Sequence, residues 1–283
     1  MVSERNALLS VRNLGKTYPG FRLGEISFDL TEGTITGFIG RNGAGKTTTI
    51  NSILSFIRPD SGEVLYRGIP FCQKEHEIRE KIGFVSAGMT YYTRKKLKTI
   101  TEVTRSFYPG WKQDVYKKTM DMFCLSEDKT PAELSNGMKI KYALTLALSR
   151  GAELFILDEP TSGLDPVSRE ELVEAFLRLK DEGKTILFST HITSDLEKCA
   201  DRILFIRAGK LKADEDLESF RHSFRIIETT GPIPSELAAV SRGSCRTKDG
   251  YTVLVSRADA APFTGRDAAL EEIMVHMEKE EEV

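Results

Sequence analysis

The sequence predicts an α/β fold built on a mainly parallel sheet with both faces covered. Three observations carry this reading. Short continuous apolar runs recur along the chain, amphipathic stretches with helical spacing separate them, and a glycine-rich phosphate-binding turn joins one run to a helix. At 283 residues the chain has room for one large domain, or a domain with an appendage.

Leu8 to Arg12 and Ile26 to Leu30 alternate as strands do, with turns at Pro19-Gly20 and Glu32-Gly33. Ile35 to Ile39 reads as a buried strand. It runs into Gly40-Arg41-Asn42-Gly43-Ala44-Gly45-Lys46-Thr47-Thr48, which fits G-x-x-x-x-G-K-[ST]. Such a turn aims several backbone N–H groups at one polyphosphate, Lys46 reaches the outer phosphates, and the Thr47 hydroxyl suits Mg²⁺. The helix that follows ends before Arg58-Pro59-Asp60-Ser61-Gly62. Gly62 to Tyr66 and Lys81 to Val85 read as strands. Thr99 to Leu125 reads as helix, broken at Tyr108-Pro109-Gly110, with Trp111, Val115, Met122 and Phe123 expected on one apolar face.

Ser135 to Arg150 reads as helix and Leu154 to Leu157 as a fully buried strand. Asp165-Pro166 opens a helix with proline at its first position and Gly183 as its stop; Thr185 to Ser189 is another buried strand. After Asp214 the character changes. Residues 216–283 hold 8 Lys and Arg against 13 Asp and Glu. Asp249-Gly250 signals a hairpin ahead of Tyr251 to Val255, and Thr264 with Asp267 resembles a capping box. Leu270, Ile273, Met274 and Met277 form a helical stripe. This segment reads as a small α+β appendage, either a partner surface or a packing cap, and is expected to be dispensable for nucleotide binding.

The composition is that of a soluble globular protein, 40% hydrophobic and 29% charged. A net charge of −2 gives no basic field and excludes no class except one relying on a global positive charge for nucleic acid. No stretch approaches a membrane span and the N-terminus shows no signal-peptide run, so a membrane role is expected to come through a partner chain. Cys72, Cys124, Cys199 and Cys245 show no metal-ligand spacing and read as reduced cytosolic thiols.

Phe155-Ile156-Leu157-Asp158-Glu159-Pro160 ends a buried strand in two carboxylates, at the sheet edge where the phosphate loop also emerges. Asp158 suits Mg²⁺ through a bound water, and Glu159 suits polarising an attacking water.

With these motifs the chain resembles the nucleotide-binding subunits of ABC transporters over roughly residues 7 to 214. Leu134-Ser135-Asn136-Gly137-Met138 stands at the place of that family's signature, Ser162-Gly163-Leu164-Asp165 at its D-loop, and His191 at its switch histidine. Tyr18 stands at the place of the adenine-stacking aromatic; the alternative for it is a strand-edge core aromatic. The resemblance implies a P-loop NTPase cassette in residues 1–215, with a mainly parallel sheet, an antiparallel β subdomain and a helical subdomain at about 88–150, plus the accessory region 216–283. It implies ATP as substrate, held by Tyr18, Asn42, Gly43, Ala44, Gly45, Lys46, Thr47 and Thr48, with Ser135 and Gly137 acting on the opposite subunit's nucleotide. It further implies Mg²⁺ on Thr47 and Asp158, and catalysis by Glu159, His191 and Lys46.

Two positions depart from the family pattern. Ala87 stands where the family usually has Gln, so slow hydrolysis without a permease is expected, and Asn136 with Met138-Lys139-Ile140-Lys141 alters the signature. The form Ser-x-Gly-Met-Lys, with Phe107-Tyr108-Pro109-Gly110-Trp111 upstream, is similar to bacterial exporter subunits that pair with a separate permease. The expectation is a cytoplasmic ATPase, peripheral on the inner face of the cell membrane through that permease. It works as a homodimer or beside a related ATPase subunit and exports a peptide, antibiotic or other small amphipathic substrate. The alternatives are an importer subunit with a regulatory C-terminal domain, or a soluble ABC ATPase acting on nucleic acid or ribosomes. Lys46 and Ser135 lie only 89 positions apart with no heptad array between them, which speaks against the coiled-coil DNA-maintenance form.

Overall fold

The computed structural model describes residues 7–86 and 92–279. Ala87, singled out above, lies outside them. The chain opens with an antiparallel hairpin, β1 (Ala7–Tyr18) and β2 (Phe21–Thr31), both longer than their alternating segments. β3 (Ile35–Ile39) leads into helix α1 (Lys46–Ile53), and β4 (Ser61–Tyr66) and the short β5 (Ile69–Pro70) return to the hairpin. These four strands make one antiparallel sheet, in the order β2-β1-β4-β5. α2 (Glu75–Lys81) and β6 (Ile82–Ser86) close this part.

The helical subdomain follows as α3 (Leu97–Ser106), α4 (Gln113–Met122) and α5 (Asn136–Ser149). Its core joins Leu97, Tyr116, Met120 and Tyr142, and the Thr101 hydroxyl lies 3.1 Å from the Tyr116 hydroxyl and 2.8 Å from that of Tyr142. Burial pushes the Tyr116 phenol up to about 12. The expected single apolar face is corrected here. Trp111 packs against the subdomain core, Val115 against the core beneath the central sheet and Phe123 against both, and Met122 is exposed. Trp111 precedes α4 and Phe123 caps its end, so only Val115 and Met122 of the four lie within the helix.

β7 (Leu154–Asp158), α6 (Pro166–Asp181), β8 (Thr185–Thr190), α7 (Thr193–Cys199), β9 (Arg202–Arg207) and β10 (Lys210–Asp216) complete a six-stranded sheet ordered β10-β9-β3-β8-β7-β6. It is parallel except for the edge strand β10. Its side chains alternate between two cores. Leu154, Ile156, Leu187 and Leu204 face the antiparallel sheet and α1; Phe155, Leu157, Phe188 and Phe205 face α5, α6 and α7. Burial on both faces explains why these strands read as continuous apolar runs.

The remaining chain is α8 (Leu217–His222), β11 (Phe224–Thr230), α9 (Ser235–Ala239), β12 (Ser241–Arg246), β13 (Gly250–Ser256), β14 (Gly265–Asp267) and α10 (Leu270–Met277). Its sheet is antiparallel, ordered β12-β13-β11-β14. The expected Thr264–Asp267 cap is replaced by β14, whose residues Gly265 to Asp267 pair with β11. The cap contact at α10 comes from Glu272, which accepts the Ala269 N–H at 3.0 Å.

This unit shares a core with the rest of the chain: Phe220, Ile226, Leu254, Leu270, Ile273 and Met274 pack in one cluster with Leu196, Cys199 and Phe205. A cut after Asp214 falls inside β10 and uncovers that cluster. Losing a few buried side chains at about 1.5–3 kcal/mol each is expected to lower the thermal midpoint by roughly 10 °C in a truncated chain, read by calorimetry. The buried Cys199 thiol is pushed up to about 12, chiefly by desolvation and then by Asp195 and Asp201. At neutral pH a thiol reagent is expected to label the exposed Cys72 and Cys124 in the native protein, and Cys199 only after unfolding.

Candidate functional site

Three neighbouring parallel strands, β3, β8 and β7, end at the same edge of the central sheet, and their carboxyl ends bring the site together. Gly45 precedes α1 with φ of 117°, a left-handed backbone that a side chain would strain. Gly40 is required for a different reason: a Cβ there would lie 2.3 Å from the Ile206 carbonyl oxygen. The β9–β10 turn also bonds to the loop, with the Gly209 N–H donating to the Ala44 carbonyl at 2.9 Å. Asn42 and Gly43 are exposed at the loop's tip, Ala44 is buried, and Thr48 is half-buried on α1.

Lys46 is 5% exposed. Its ammonium donates to the Gly40 carbonyl at 2.7 Å and pairs with Glu159 Oε1 at 3.1 Å. The other Glu159 oxygen lies 2.8 Å from His191 Nδ1. Facing a carboxylate, that nitrogen carries the ring proton. Glu159 stands immediately after β7 with φ of 52°, unusual for a non-glycine residue, and this turns its side chain between Lys46 and His191.

Asp158 is 8% exposed and accepts from the Thr47 hydroxyl at 3.0 Å through Oδ2 and from the Ser189 hydroxyl at 2.6 Å through Oδ1. Hard oxygen donors of this kind fit Mg²⁺. Thr47 and Asp158, whose side-chain oxygens lie 3.0 Å apart, are the residues that would hold the ion. Among the described residues no three His, Cys, Asp or Glu side chains converge.

Ser189 is the residue that sequence reading missed. In the sequence it is only the last residue of an apolar run, yet it sits in register with Asp158 across the β7–β8 pair. A hydroxyl ending an otherwise apolar buried strand was the available signal.

Ser135 and Gly137 stand apart from this cluster. Ser135 caps α5, its hydroxyl accepting the Met138 N–H at 3.2 Å, and Gly137 faces Ser168 and Leu164 at the start of α6. None of the hydrogen bonds and ion pairs around Lys46 and Glu159 reaches them. Asp165 caps α6 and accepts from the Ser168 hydroxyl and N–H and the Val167 N–H; these bonds hold its carboxyl below the usual range. Tyr18 ends β1, 37% exposed with the Lys16 ammonium 5.8 Å from its ring centre. Its hairpin partner Phe21 packs beside Gly45 of the phosphate loop.

Comparison with known proteins agrees with this geometry. The family profile described as "ABC transporter" matches residues 23–162. The bacitracin transport ATP-binding protein BcrA of Bacillus licheniformis is 31% identical over 210 residues, covering 73% of this chain and 69% of that one. The ABC transporter ATP-binding protein YtrB of Bacillus subtilis is 27% identical over 257 residues, 89% of this chain and 88% of that protein. Residues 216–283 make up roughly a quarter of the chain, so the second match includes part of them. Among solved structures, the dimeric bacterial ABC transporter cassette MJ0796 superimposes with a TM-score of 0.65 at 25% identity, covering 74% of this chain and 98% of its own.

Proposed function

Because the chain belongs to the ABC transporter family and is an ATP hydrolase of that type, we propose that two copies close around two Mg·ATP and drive a separate membrane permease that exports a peptide, antibiotic or other small amphipathic substrate. The observation that carries the pairing is the separation of two anion-binding elements. Lys46 and the phosphate loop form one, and the N-terminus of the 14-residue α5, with Ser135 and Gly137, forms the other. A partner's γ-phosphate seated on α5 completes each site. A related ATPase subunit in place of the second copy is the other form of this proposal.

In this reading the phosphate-loop N–H groups and Lys46 hold the phosphates, Tyr18 stacks on the adenine, and Asn42 to Thr48 line the cradle. Thr47 and Asp158 hold Mg²⁺, which neutralises charge on the β- and γ-phosphate oxygens when bound. Glu159 takes the proton of the attacking water, and His191 contacts the γ-phosphate through Nε2.

In this proposal a separate permease holds the chain on the cytoplasmic face of the membrane; no helix among the described residues is long and apolar enough to cross it. Val103 and Phe107 of the helical subdomain, 53% and 71% exposed, offer apolar surface for it. Likeness to a bacitracin transport subunit supports a peptide or antibiotic cargo. Residues 216–283 form an accessory unit in this proposal.

The test is transport in inside-out vesicles carrying this chain with the permease that co-purifies with it. ATP-dependent accumulation of labelled peptide antibiotic in the lumen is the expected result. ATP-driven loss of preloaded substrate from the lumen would assign import instead.

A further inference from the structure

We propose that Ser189 is a positioning residue that locks the metal-binding and water-activating carboxylates into one unit. The inference rests on the site reading above and deepens it.

The Ser189 side chain is fully buried at the end of β8, and its Cα is the register partner of Asp158. Its hydroxyl carries one proton, and that proton is committed to Asp158 Oδ1 at 2.6 Å, a short bond to a charged acceptor. Its lone pairs face the other way and accept the Glu159 N–H at 3.0 Å. One oxygen atom therefore touches both acidic residues, one through the side chain and the other through the backbone.

Each contact has a separate consequence. With Oδ1 held by Ser189, the Asp158 carboxylate plane is fixed so that Oδ2 points at the Thr47 hydroxyl, 3.0 Å away, where the Mg²⁺ ligands converge. The Glu159 N–H contact supports the left-handed backbone at φ 52°, which directs that side chain between Lys46 and His191. The Glu159 N–H has a second acceptor, the Ser189 carbonyl at 3.1 Å, so the strand itself holds the backbone part of the way. The Asp158 contact has no such backup among the described residues beyond Thr47. Loss of the hydroxyl should therefore act first on the metal and then on turnover. Outer partners of metal ligands contribute about 10–100-fold to metal affinity.

Ser189→Ala removes one oxygen from a packed strand and leaves little space behind, Ser189→Thr keeps the hydroxyl, and Ser189→Val matches threonine in shape without it. ATP affinity is measured by calorimetry for each variant with excess Mg²⁺ and with EDTA, and turnover is measured in parallel. In EDTA, all variants are expected to bind ATP as the unmodified chain does. The tightening produced by Mg²⁺ should shrink about tenfold in Ser189→Ala and Ser189→Val, with kcat falling and KM for Mg·ATP rising, and Ser189→Thr should restore both. Equal Mg²⁺ tightening in all four proteins would overturn the proposal, as would loss of ATP binding in EDTA alone, which would mark a purely structural role. Glu159→Gln is run alongside. If it leaves turnover unchanged, the site reading itself fails, whereas a normal loss there with no Mg²⁺ effect at Ser189 sinks only this inference.

Discussion

Glu159→Gln is expected to lower ATP turnover by about 10²–10⁴-fold, the range for removing a general base, while ATP still binds. The substitution keeps the shape and one carbonyl oxygen but removes the charge that takes a proton from water. It also ends the ion pair with Lys46 and weakens the contact to His191, so the phosphates no longer compete with Glu159 for the Lys46 ammonium. ATP affinity should therefore hold or rise slightly. Single-turnover kinetics with labelled ATP separates the two effects. A variant that turns over at the unmodified rate would show that another group activates the water.

Lys46→Ala should act on binding instead. Its ammonium is almost wholly buried and bridges the Gly40 carbonyl and the Glu159 carboxylate. Its removal deletes the charge that meets the phosphates and leaves Glu159 facing them without a cation between. Breaking a buried, hydrogen-bonded charge contact costs about 3–5 kcal/mol, so ATP affinity should fall by roughly 10²–10⁴-fold. Equilibrium binding measured with radiolabelled ATP checks this. A change of only a few-fold would mean that the loop N–H groups bind the nucleotide on their own.

The strands that position the site were legible because the central sheet is covered on both sides. Ile35 to Ile39, Leu154 to Leu157 and Thr185 to Ser189 are uninterrupted runs, and the structure makes each of them a strand within a residue of where it was read. The helix starts at Ser135 and Asp165 were legible for a local reason, since each side chain caps the N–H groups two or three residues ahead. What failed depended on distant partners. Thr264 to Asp267 has the local pattern of a cap, but pairing with Phe224 to Thr230, some forty positions earlier, makes it strand. Ser189 gave no local sign of its role, because its importance comes from the register that sets it against Asp158. The change in charge after Asp214 marked the surface of the C-terminal unit and said nothing of its interior. Leu270, Ile273 and Met274 form the helical stripe read from sequence, yet they pack on Leu196 and Phe205 of the ATPase part as well as on their own sheet. A periodic stripe specifies that a face is buried, not against what.

The pairing of two copies through α5 is the central claim, and light scattering on Glu159→Gln with saturating Mg·ATP tests it most directly. Hydrolysis is blocked in that variant, so a closed pair has no route to reopen and should accumulate. The account predicts a shift from the single-chain mass of 31.7 kDa to twice that value, reversed when a second substitution, Ser135→Arg, obstructs the start of α5. A mass that stays at one chain in saturating Mg·ATP would contradict it.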